Sequence, residues 1–128
     1  MKKREVKTEK APAPVGPYSQ AVTAKGFVFC SGQLALDPLT EKLICTNIES
    51  ETIQVMENLK AVLEASGSSL DRIVKTTIFL TNMDDFASVN QVYGRYFGEI
   101  PPARSTVEVT RLAKGASVEI DCIALLKE

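Results

Sequence analysis

The stretch that most constrains the fold is residues 72–80, RIVKTTIFL, the strongest strand pattern in the chain. Alternation puts Ile73 and Phe79 on one side of it and Val74, Ile78 and Leu80 on the other, so both sides call for burial. The patterns on either side of this strand are helical. Residues 48–63 carry Ile48, Val55, Met56, Leu59, Val62 and Leu63 at helical spacing, with Gly67 placed to end the helix. Thr46 followed by Glu49 reads as a capping box at its start. The second helix carries Phe86, Val89, Tyr93, Tyr96 and Phe97, is capped by Asn82, and ends at Gly98 before Pro101 and Pro102.

Four more strands complete the order. YSQAVTA (18–24) and FVFCSGQL (27–34) flank Lys25-Gly26, a tight-hairpin signal, and 104–110 and 117–126 are joined by LAKGA. Residues 10–17, KAPAPVGP, are extended, and 37–42 form a loop. The order is ββ-α-β-α-ββ, an α+β two-layer sandwich with both helices on one face of a sheet. Two helices cover only one face, so a homo-oligomer that packs sheet faces together is expected.

At 128 residues the chain should form one domain, 1–128, with residues 1–8 as a frayed, basic end. Its 15 basic and 16 acidic residues give a net charge of −1, a poor start for holding a polyanion. The longest apolar run, CIALL, is far too short to span a membrane, and the basic N-terminus is not followed by an apolar signal segment. Cys30, Cys45 and Cys122 cannot pair completely, which fits a reducing, cytoplasmic setting. The chain has no histidine, which excludes Ser-His-Asp and Cys-His catalysis and His-based zinc sites. With no Cys-x-x-Cys pair, no Walker loop and no Gly-x-Gly-x-x-Gly, neither metal nor cofactor is expected, and chemistry falls to Asp, Glu, Arg, Lys, Tyr, Ser, Thr or the backbone.

Several polar residues interrupt apolar patterns. Arg104 stands at the mouth of a strand, facing the same way as Thr106 and Glu108. Glu119 sits between Val118 and Ile120, Asn90 lies on the second helix's apolar stripe, Ser31-Gly32 ends an apolar strand, and Tyr18 follows Gly16-Pro17. Each has an ordinary structural explanation: a surface ion pair, a solvated strand residue, a buried amide, a bulge, a core aromatic. Together they are also the inventory of a concave site for a small anion, although spacing does not show that they converge.

APVGPYSQAV, FCSGQL, NLKAVLEASG, IVKTTIFLTNMDDFASVNQVY and PPARSTVEVTRLAKGASVEID, in that order over residues 9–127, resemble the reactive intermediate/imine deaminase family, RidA or YjgF. The resemblance implies a chorismate-mutase-like fold, a homotrimer whose sheets form a central barrel, and active sites between subunits. It implies hydrolysis of imines derived from 2-aminoacrylate and 2-aminocrotonate to 2-oxo acids and ammonia. RNA cleavage with translation inhibition, or chaperone-like binding, is the alternative. The family's carboxylate-binding arginine falls on Arg104 and its water-handling acid on Glu119. Tyr18 matches its motif tyrosine, Ser31 and Gly32 its strand Ser-Gly, and Asn90 its helix asparagine. Thr106 stands where many members have cysteine, at a position whose backbone meets substrate. Ala113 replaces a frequent proline and Asp121 a frequent glutamate, neither with an evident bearing on catalysis.

Overall fold

The computed structural model describes residues 2–128. Six strands, β1 (Arg4–Val6), β2 (Ala21–Ala24), β3 (Phe27–Gln33), β4 (Ile73–Leu80), β5 (Ala103–Glu108) and β6 (Val118–Leu125), form one sheet in the order β1-β2-β3-β6-β4-β5. All neighbours are antiparallel except β4 and β5, which run parallel. Their connection is α2 (Phe86–Gly94), as a parallel pair requires a crossover. The other helix, α1 (Ile48–Ser66), packs beside α2 and against β3 and β6. Among the described residues no helix is long and apolar enough to cross a membrane.

One face of α1 holds the layers together. Val55, Met56, Leu59, Val62 and Leu63 are all fully buried against Val28, Ile78, Val118 and Ile120 of the sheet. Burying one such side chain is worth about 1.5–3 kcal/mol, so this row outweighs the roughly 1 kcal/mol of a helix cap. The cap itself is Asn47 and not Thr46: its side chain accepts from the Ser50 N–H at 2.8 Å. Gly67 closes α1 at φ 84°, and Lys25 (φ 51°) with Gly26 (φ 84°) makes the left-handed β2–β3 turn.

Four other expectations are corrected. The basic end is not frayed from residue 4 onward, because Arg4–Val6 pairs with Ala21–Thr23 as an edge strand. The strand expected from residue 18 starts at Ala21. Asn82 caps a 3-10 turn, Met83–Asp85, that leads into α2, and α2 stops at Gly94. In β4, Ile73 pairs with Ala124 and Lys75 with Ile123, so a bulge at Val74 moves Ile73 to the buried, helix-facing side with Thr76, Ile78 and Leu80.

Lys75, Thr77 and Phe79 therefore face away from the helices. Beside them lie Ile123, Asp121 and Glu119 of β6 and Phe27 and Phe29 of β3. Phe27, Phe29, Val107 and Leu125 on this face are 38%, 45%, 41% and 39% exposed. The sheet keeps an apolar face that the chain itself does not cover.

Candidate active site

A second bulge builds a cleft. Cys30 pairs with Cys122 and Gln33 with Ile120, so Ser31 and Gly32 together oppose Asp121. Between this bulge, the segment before β2 and the turn before β6 lies a cleft of about 390 Å³ lined by Pro12, Tyr18, Ser31, Gly32, Lys114 and Glu119. A side chain at position 32 would displace Glu119: a Cβ there would lie 2.8 Å from Cδ and 3.0 Å from Cγ of Glu119. Burial first, and then the neighbouring Asp121 carboxylate, push the Glu119 carboxyl above its ordinary range. Asp121 is itself raised by burial, against hydrogen bonds from Thr77 and the charge of Lys75.

The remaining groups of the cleft are oriented by backbone. Ser31 donates its hydroxyl to the Ser19 carbonyl at 2.6 Å and its N–H to the Gln20 carbonyl at 3.0 Å. Tyr18 is no core aromatic: it is 49% exposed, and its hydroxyl accepts from the Val15 N–H at 3.4 Å, leaving the phenolic proton to donate. Lys114 lines the cleft with φ 61°, a left-handed conformation unusual for a side chain with a Cβ.

Two buried amides that sequence reasoning missed hold the walls. Gln20 accepts from the Thr8 N–H at 2.8 Å and donates to the carbonyls of Thr8, Ala11 and Pro12. Asn58 donates to the carbonyls of Leu34 and Leu36 and accepts from Gln54 at 2.9 Å. Gln20 sits in GPYSQ and Asn58 in NLKAVLEASG, but nothing in spacing reveals that their partners are irregular backbone.

Arg104, Thr106 and Asn90 are elsewhere. Arg104 pairs with Thr76 across β4–β5, and Thr106 with Ile78, which turns both toward the helix layer, as expected from their shared alternation with Glu108. Glu119 pairs with Phe79 and faces the opposite side of the sheet. The Arg104 guanidinium lies 5.5 Å from the ring centroid of Phe86 and 5.2 Å from that of Tyr93. Asn90, half-buried rather than core, is on the same strip of α2 between these rings. The Thr106 hydroxyl is buried and has no partner among the described residues.

The chain thus gathers Glu119, Tyr18, Ser31 and Gly32 in one place and Arg104, Asn90 and Thr106 in another, on opposite sides of the sheet. Ala113 lines the cleft, and the Asp121 carboxylate bears on Glu119.

Comparison with known proteins gives this arrangement a lineage. The family model described as Endoribonuclease L-PSP matches residues 8–126. A RutC family protein of Synechocystis is 54% identical over 94% of this chain and 95% of its own length. The chloroplastic Reactive Intermediate Deaminase A of Arabidopsis thaliana is 48% identical over 98% of this chain and 67% of its own. The crystal structure of a Rid family protein, YyfA of Yersinia pestis, superposes with a TM-score of 0.95 at 48% identity, covering 98% of this chain and all of that one. Matches of this extent and identity run across both groups of candidate residues, and they establish that the chain belongs to the RidA/YjgF family.

Proposed function

We propose that this protein hydrolyses small 2-imino acids, the tautomers of 2-aminoacrylate and 2-aminocrotonate, to pyruvate or 2-oxobutanoate and ammonia, at sites each assembled from two copies of a homotrimer. The observation that carries the reading is the separation just described. A raised carboxyl waits in a cleft on one side of the sheet, and on the other lies an arginine with no carboxylate within 4.0 Å among the described residues. Each is half of a site. The uncovered sheet face supplies the surface on which copies meet, and the name of the Arabidopsis relative supports the chemistry.

In the composite site, Arg104 of one copy binds the substrate carboxylate through its planar fork, beside Thr106 and Asn90. Glu119 of the neighbouring copy takes a proton from a water whose oxygen bonds to the imine carbon, and passes it to the nitrogen. A second transfer, from the new hydroxyl to the amine, breaks the C–N bond and leaves a carbonyl and ammonia. Tyr18 and the Ser31-Gly32 backbone orient the water and the tetrahedral centre. A carboxyl raised above its ordinary range by burial suits both directions of proton transfer. No cofactor enters these steps. Three free thiols, two of them buried, support a reducing, cytoplasmic setting.

The test is a coupled assay in which a dehydratase releases 2-aminocrotonate and 2-oxobutanoate is followed with and without this protein. Catalytic amounts should raise the rate of 2-oxo acid release, and an unchanged rate contradicts the proposal. RNA cleavage is the weaker reading: the net charge is −1, a poor start for holding a polyanion.

A further inference from the structure

We propose that Phe86 and Tyr93 are positioning residues, two aromatic jaws that hold the Arg104 guanidinium flat while leaving its N–H fork free for the substrate carboxylate. The inference rests on the reading of Arg104 as the carboxylate anchor and names what aims it.

Phe86 and Tyr93 are seven positions apart, two turns of helix, so one strip of α2 presents both rings over β5. Their positions are roughly 10.5 Å apart along the helix axis. The guanidinium carbon sits over both rings, within 5.5 Å of each centroid. Both distances fall inside the range of cation–π attraction. Tyr93 is fixed in turn. It is 5% exposed, its hydroxyl is 2.8 Å from the Thr76 hydroxyl, and its ring packs on Phe97 at 4.7 Å. Thr76 is also the cross-strand neighbour of Arg104, so β4, α2 and β5 meet at this one cation.

The choice of partner is informative. Among the described residues the one ion pair within 4.0 Å joins Lys7 to Glu5, and Arg104 has none. A carboxylate at position 86 or 93 would grip the guanidinium harder, but it would accept the N–H groups that a substrate needs. An aromatic face attracts the cation without taking a hydrogen bond from the edge of its plane. Phe86 is 37% exposed at the start of its helix, a position where packing alone places little demand on an aromatic ring.

Substitution at Phe86 separates ring electronics from bulk. Binding of 2-oxobutanoate, measured by titration calorimetry on the purified oligomer, should weaken about 5- to 30-fold in Phe86→Leu. KM for the imine should rise in parallel, with kcat within about twofold. Phe86→Trp, which restores a cation-binding face, should bind like wild type. Tyr93→Phe keeps the ring and should also retain product affinity, even though it melts earlier for want of the Thr76 bond. If Leu binds like wild type, or if Leu and Trp are equally impaired, the site wants only bulk and the clamp is wrong. Arg104→Ala separates this failure from a deeper one. Weak product binding by Arg104→Ala beside normal binding by Phe86→Leu overturns the clamp alone. Normal binding by Arg104→Ala overturns the anchor and the clamp with it.

Discussion

In the proposed mechanism Glu119 sets stability against use. Its carboxyl is raised by burial and by Asp121, so folding favours the protonated form and the ionised form strains the native state. Such a group's contribution is full below the unfolded pKa, near 4.5, and is lost as pH rises through the folded value. Glu119→Gln should therefore raise the melting temperature at pH 7–8, and the gain should vanish below about pH 4, where both states of the wild type are protonated. The same substitution should cost on the order of 10²-fold or more in turnover, because the amide cannot accept the water's proton. In the wild type, kcat/KM should rise with pH through a limb lying above the ordinary carboxylate value. Gly32 bears on the same group. Gly32→Ala adds a methyl where Glu119 lies, and the end of a side chain yields more easily than backbone. It should leave the unfolding midpoint nearly unchanged while lowering kcat/KM by on the order of 10²-fold. Normal turnover in Gly32→Ala would mean that the position of Glu119 is unimportant.

At the scale of elements, what the sequence disclosed depended on periodicity. The α1 stripe, the Lys25-Gly26 turn, the Gly67 stop and the last strand were legible because their side chains repeat or because glycine is favoured in left-handed turns. Of the two bulges, the one at Ser31-Gly32 was among the readings of its sequence, and the one at Val74 was not. The sequence of 72–80 alternates whether or not Val74 is extruded, and only pairing with Ala124 and Ile123 shows the shift. The edge strand β1 was hidden by its charges, since three residues paired on one side need little hydrophobicity. The candidate residues were found largely by resemblance, because neither their distribution over two sides of the sheet nor the rings around Arg104 follows from spacing. The buried amides illustrate the cost of that blindness. Asn47→Ala removes an exposed cap and should destabilise by about 1 kcal/mol in urea unfolding without touching activity. Asn58→Leu strands the carbonyls of Leu34 and Leu36 beside the cleft, at about 1–3 kcal/mol for each buried group left without a partner, and should lower activity as well. Equal losses from the two substitutions would deny Asn58 any special part.

At the scale of the whole molecule, everything turns on whether copies meet on the uncovered face. Phe27, Phe29, Val107 and Leu125 form an apolar surface around the polar group Lys75, Thr77, Asp121 and Glu119. An exposed apolar sheet face is a candidate partner surface, and in the proposed ring of three copies each Glu119 cleft meets a neighbour's Arg104. The most direct measurement is complementation between two inactive variants. Glu119→Gln and Arg104→Ala chains, differently tagged and co-expressed in equal amount, should give mixed trimers in which one site of the three joins an intact Arg104 to an intact Glu119. With random mixing the pooled trimers should recover about a quarter of wild-type imine hydrolysis, although each parent alone is nearly inactive. Mixed trimers, verified by both tags and by light scattering, that hydrolyse no more imine than their parents would contradict the shared site.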